Sequence, residues 1–148
     1  MTTVAQILKT KPERSVHTIG PDASVLEALR AMAEKNVGAL VVVDGAGHVV
    51  GIVSERDYAR KMILLDRASR DTPVRSIMSS PVMYVRPQRT SDECMALMTE
   101  NRLRHLPVLD EGERLVGLVS IGDLVKDIIS EQQFIIEQLE LYVSGRPR

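Results

Sequence analysis

The sequence predicts an α+β fold: two copies of one β-α-β-β-α unit, packed face to face by their sheets with pseudo-twofold symmetry. Three observations lead there. Pro21 to Met62 aligns without a gap with Pro87 to Ile128, so the chain is a tandem duplication. Within each copy, short β-rich runs bounded by turn residues alternate with capped segments of helical apolar spacing. One copy, at about 60 residues, is marginal alone, and its sheet needs cover on both faces. Identical in the repeat register are Pro21, Glu27, Met32, Glu34, Leu40, Val42, Asp44, Val50, Gly51, Val53, Ser54 and Asp57 with their counterparts in the second copy.

The elements follow in order. Val4-Ala5-Gln6-Ile7-Leu8 resembles Val74-Arg75-Ser76-Ile77-Met78, with extra residues near Lys9–Ser15 in the first copy. A short extended piece, Val16–Ile19 or Val82–Val85, leads to a proline. Ser24-x-x-Glu27 and Thr90-x-x-Glu93 are capping boxes that open a helix. Val25, Leu26, Ala28, Leu29 and Met32 then repeat at helical spacing, as do Cys94, Met95, Leu97 and Met98. The apolar runs 39–43 and 106–109 pass through turn-rich connections at 44–47 and 110–113 into strands 49–53 and 115–119, each pair a hairpin. A closing helix ends each copy. The resulting divisions are a first repeat at 4–66, a linker at 67–73, a second repeat at 74–130, and a helical extension with a tail at 131–148. On the extension Ile128, Ile135, Leu139 and Tyr142 form one stripe, with Ile136 and Val143 beside it. A single pair of repeats offers that stripe no burial, which predicts a homodimer contact.

Composition narrows the function. Hydrophobic content of 44% and charged content of 26% are those of a globular protein. A net charge of −1 argues against a nucleic-acid binder. No apolar stretch reaches membrane-spanning length and the start is unlike a signal peptide, so a cytoplasmic protein is expected. The histidines His17, His48 and His105 lack metal-ligand spacing, and no nucleophile has a base partner. Cys94 aligns with Ala28 on the apolar helix stripe and is expected to pack in the core.

The chemistry concentrates in one motif. Gly51-Ile52-Val53-Ser54-Glu55-Arg56-Asp57 recurs as Gly117-Leu118-Val119-Ser120-Ile121-Gly122-Asp123, each time where a strand hands over to a helix. Amides at a helix start lack internal partners and favour phosphate. A hydroxyl and a carboxylate three residues apart suit a phosphate contact and an acceptor for a ribose diol. The same atoms also make a plain helix cap.

The repeated pattern resembles the cystathionine-β-synthase (CBS) domain family, and the tandem resembles one Bateman module. The likeness rests on Val74-x-x-Ile77-Met78, on Arg104-His105-Leu106-Pro107-Val108-Leu109-Asp110 and on both Gly-x-x-Ser-x-x-Asp motifs. It implies two clefts between the repeats that take an adenosine-containing nucleotide (AMP, ADP, ATP or NAD) as a regulatory ligand. It further implies no enzyme activity, frequent pairing of modules, and signalling to an unidentified protein target. Carried over residue by residue, Asp57 and Asp123 would hold ribose, and Ser54 and Ser120 phosphate. The segments around Thr18 and Ile19, and Met83, Tyr84 and Val85, would line the base. Val37, Gly38 and Ala39 would form the other wall, as would Arg104 and His105 running into Leu106 and Pro107. The copies differ in charge: Arg56 and Lys61 stand where the second copy has Gly122 and Asp127, while Arg104 and His105 replace Gly38 and Ala39. Those cations are expected to converge on phosphate. The alternative is a ligand-independent dimerisation scaffold in which both Ser/Asp pairs are only caps.

Overall fold

The computed structural model describes residues 2–11, 16–64 and 66–145. Helix α1 (Val4–Thr10) precedes strand β1 (Thr18–Ile19), helix α2 (Val25–Lys35) and the hairpin β2 (Ala39–Val43) and β3 (Val49–Ser54). Helix α3 (Glu55–Tyr58) widens into a π-helical turn at Ala59–Ile63, so the first closing helix is not regular throughout. A 3-10 turn at Val74–Ser76 opens the second copy. Helix α4 (Ser91–Asn101), the hairpin β4 (His105–Leu109) and β5 (Leu115–Ser120), and helix α5 (Ile121–Ser144) complete it. The α+β class and the duplicated order agree with the sequence.

The two sheets differ by one strand. In the first, β1 runs parallel to β2 and β2 antiparallel to β3. In the second, the extended piece expected at Val82–Val85 makes a single bridge, Val85 to Val108. The cause is one residue. Val41 donates its N–H to the His17 carbonyl at 3.2 Å, whereas its counterpart Pro107 has no N–H to give.

Both middle helices start and stop by the same local chemistry. Ser24 and Thr90 are the N-caps, and Thr90 completes a reciprocal box with Glu93. Asn36 (φ 55°) and Arg102 (φ 54°) end the helices in left-handed conformation. The following amides, Val37 and Leu103, reach back to the carbonyls of Met32 and Met98. That turn delivers residues 37–39 and 103–105 to the start of β2 and β4.

Each core borrows from the other copy. Leu40, Val42 and Val53 pack with Val25, Ala28, Met32 and Met62, and with Val74 and Ile77 from beyond the linker. Leu106, Val108, Val119, Cys94, Met98 and Leu124 pack with Val4 and Ile7 of α1. Burial pushes the Cys94 thiol pKa up. The exchange is symmetric in the backbone: Val4 N–H bonds Arg89 O at 2.8 Å, and Val74 N–H bonds Ala23 O at 2.8 Å. Glycine permits the close approach. A Cβ on Gly51 would lie 2.4 Å from Met78 Sδ, and one on Gly117 would lie 2.6 Å from Leu8 Cδ1. On the opposite sheet faces Ala39, Val41, Pro107 and Leu109 are also buried, and these faces form the seam between repeats.

Among the described residues no helix is long and apolar enough to cross a membrane. Because Ile7 fills the second core, Ile7→Ala is expected to cost about 2–5 kcal/mol in urea unfolding. It should also quicken labelling of Cys94 by a thiol reagent, since the two share one core although they come from different repeats.

Candidate functional site

Two clefts open at the seam, one on each side of the pseudo-twofold axis. The first is framed by the strand-to-helix corner of the first repeat and the wall after the middle helix of the second, and the second by strand β5 and the wall after the middle helix of the first.

The first cleft encloses about 460 Å³. At its corner Ser54 caps α3, its Oγ accepting from Asp57 N–H at 3.2 Å, while Asp57 Oδ2 accepts from Ser54 N–H at 3.0 Å and lies 3.1 Å from Ser54 Oγ. The Glu55 amide is held by Gly38 O at 3.1 Å. Lys61 donates to Ile77 O at 2.8 Å and stands 3.4 Å from Asp57 Oδ1. The floor is Ile52, whose backbone exchanges hydrogen bonds with Ser79. The far wall brings Arg102, Leu103, Arg104 and His105 from the second repeat. Repulsion from the Arg60 and Arg104 guanidiniums lowers the pKa of Arg56. Among the described residues none of these three arginines has an ion-pair partner. A cluster of like charges with no counter-ion favours an anion.

The second cleft is smaller, about 310 Å³, and its walls are Leu8, Val16, Val37, Ala39, Val116 and Leu118, with Lys9, Lys11 and His17. Ser120 caps α5 as Ser54 caps α3: its Oγ accepts from Asp123 N–H at 3.2 Å, and Asp123 Oδ2 accepts from Ser120 N–H at 2.9 Å. Here, however, Lys11 Nζ donates both to Asp123 Oδ2 at 2.9 Å and to Leu118 O at 2.8 Å. His17 Nε2 is buried without a hydrogen-bond partner, as is Oδ2 of Asp127, which occupies the place of Lys61.

The structure therefore gathers Gly38, Ser54, Arg56, Asp57, Lys61, Arg104 and His105 around the first cleft, and Val37 and Ala39 around the second. It places the other expected residues elsewhere. Ser120, Gly122 and Asp123 do not line the second cleft. Val85 and Leu106 point into the second core because strand alternation puts them on the face opposite the seam. Pro107 is buried on the seam itself. Thr18 is exposed and Ile19 packs on the first core. Met83 is exposed, and Tyr84 lies in a separate groove with His48, Val82 and Glu113, stacked 5.1 Å from the Arg86 guanidinium. Ser79, Lys9, Lys11 and the floor residues Ile52 and Leu118 were not expected. Alternation with the core residues Val53 and Val119 is the signal that could have found the last two.

A family model described as CBS domain matches residues 4–64 and 74–130. The chain belongs to the CBS-domain family. Among solved CBS-domain structures, one from Burkholderia ambifaria MC40-6 is 56% identical, with TM-score 0.84, covering 88% of this chain and 96% of that one. The CBS-domain protein CBSX3 of Arabidopsis thaliana, mitochondrial, is 37% identical over 97% of this chain and 73% of its own length. The structure of CBSX2 in complex with AMP superposes with TM-score 0.71 at 27% identity, over 89% of this chain and 99% of that one. CBS pairs of this kind are regulatory and signal-transduction modules.

His105 of this CBS pair reports on the seam. Burial lowers its pKa, while Asp123 and Asp57 raise it and Lys11 and Arg104 lower it. Above the ordinary value of 6.5 the residue is neutral folded or unfolded and contributes no pH dependence. As pH falls through that value the unfolded chain takes the proton first, so stability is lost until the folded value is passed. Denaturant titrations from about pH 7 to pH 5 should show that loss, and His105→Asn should flatten it.

Proposed function

We propose that the chain is a regulatory module that binds an adenosine-containing nucleotide, of the AMP, ADP, ATP or NAD class, at the seam of its two CBS repeats. The bound state is passed to a protein target in trans, and the module itself catalyses nothing. The observation that carries this is the first cleft. It combines a ribose-competent carboxylate and a helix-start hydroxyl from one repeat with arginines from both repeats that form no ion pair among the described residues. Asp57 accepts the ribose diol, the role an acceptor-only carboxylate suits. Ser54 and the guanidiniums of Arg56 and Arg104 meet the phosphates. The AMP complex of the neighbour CBSX2 supports the ligand class. A ligand touching both repeats biases the angle between them, since it stabilises whichever arrangement presents both walls together.

Thermal melting with a nucleotide panel tests this. At free ligand near 100 times Kd, binding adds about 2.7 kcal/mol, a shift of roughly 5–10 °C for a chain of this size. Asp57→Ala should remove about 1.5–3 kcal/mol of binding. Alanine at Arg56 or Arg104 should weaken ATP much more than adenosine. Unchanged affinity in Asp57→Ala, together with lower stability, would leave the Ser/Asp pairs as caps in a ligand-independent scaffold.

A homodimer through α5 belongs to the same proposal. Ile129, Ile135, Ile136 and Leu139 are each more than half exposed along one helix, a large apolar stripe for a lone chain to present to water. Leu139→Glu should turn a dimer into a monomer in sedimentation velocity while leaving the far-ultraviolet spectrum unchanged.

A further inference from the structure

The two clefts repeat each other in backbone but not in what their aspartates are doing. We infer that Lys11 is a specificity-determining residue that withholds Asp123 from the second cleft, so that the chain takes one nucleotide rather than two. The inference rests on the nucleotide-binding function proposed above.

The contrast begins at the floor. In the first cleft the Ile52 carbonyl is satisfied by the Ser79 amide at 2.8 Å. In the second the matching Leu118 carbonyl is satisfied by Lys11 Nζ, also at 2.8 Å, and the same ammonium reaches Asp123 Oδ2 at 2.9 Å. Lys11 thus spans the gap between the strand and the start of α5. It lines the cavity, and Ser120 and Asp123 do not, whereas Ser54 and Asp57 line theirs. The side chains of Lys11 and Asp123 are only 27% and 19% exposed, so solvent screens the pair less than it would a surface one.

Exchange energetics point the same way. To seat a ribose in the second cleft, neutral hydroxyls must displace an ammonium from a carboxylate, and the bond in which donor and acceptor are both charged is the stronger of the two. Asp127 stands one turn beyond Asp123 where the first repeat has Lys61, so the i,i+4 cation that faces Asp57 has no counterpart beside Asp123. The corresponding ion pair in the first cleft is longer. Lys61 is tied to Ile77 O and stays 3.4 Å from Asp57, and among the described residues none of the extra stretch in the first copy lines this cleft.

Calorimetric titration of the full chain with AMP tests this. The wild type should bind one AMP per chain, and Lys11→Met should bind two with the affinity of the first site unchanged. Lys11→Gln, which keeps a donor for the Leu118 carbonyl but not the charge, should show the same gain. Adding Asp123→Asn to Lys11→Met should return the count to one. Two AMP bound to the wild type, or one still bound to both Lys11 variants, overturns the role of Lys11 and leaves the proposed function standing. No binding of AMP, ADP, ATP or NAD, each titrated in the same way, to the wild type or to either variant overturns both.

Discussion

An apolar sheet face cannot be left open to water, and the rest of this structure follows from that constraint. Each hairpin here has two apolar faces. One is closed by helices of its own repeat, the other by the opposite sheet, with Ala39 and Val41 on one side of the seam and Pro107 and Leu109 on the other. The leading turns make the arrangement obligatory, because Val4 and Ile7 complete one core while Val74 and Ile77 complete the other. Separating the repeats would open the seam and a wall of each core together. The module is therefore one cooperative unit whose clefts exist only while both halves are in place.

The strand-to-helix corners are the second consequence. A helix that begins at the end of a seam strand points its free amides toward the seam, and those amides need acceptors. Ser54 and Ser120 supply one, Gly38 O and Arg104 O another. The cap and the proposed ligand contact are not competitors. Capping uses Asp57 Oδ2 inward, toward the Ser54 amide, and leaves Oδ1 with only Lys61 at 3.4 Å. A carboxylate has about four acceptor sites, so the residue that builds the corner has capacity left for a ligand.

Much of this was legible in the sequence, because periodicity, caps and turn residues are local signals. The repeat, both N-caps of the middle helices, both hairpins and the helix beyond Leu124 are all readable from residue spacing, although the box expected at Ser24 and Glu27 forms only its N-cap half. What was not legible depends on long-range geometry. Nothing local says that Val4 and Ile7 pack with Cys94 rather than with Met32. Tyr84 looked like a base-lining ring by its position in the repeat. The loss of one N–H at Pro107 leaves that segment bridged at Val85 alone, and the ring sits beside His48 and Arg86 instead. Lys11 gave only an indirect sign, since it lies in the stretch that has no counterpart in the second copy.

Comparison of the two copies separates what the fold requires from what the clefts do. Residues that match across the repeat serve packing and backbone: Leu40 and Leu106 in the cores, Val53 and Val119 beside them, Gly51 and Gly117 under a neighbouring side chain, and Ser54 and Ser120 as caps. At the clefts or beside them the copies differ in charge and polarity: Gly38 against Arg104, Ala39 against His105, Arg56 against Gly122, Lys61 against Asp127. Shape is constrained because each core is completed by the other copy, so a change in one repeat's backbone would be felt in both. Charge at a partly solvated cleft carries no such coupling, and sign changes there cost the fold little. A duplicated backbone can for that reason carry two unlike sites, and an intact Ser-x-x-Asp motif in both copies is no guarantee of the same chemistry in each.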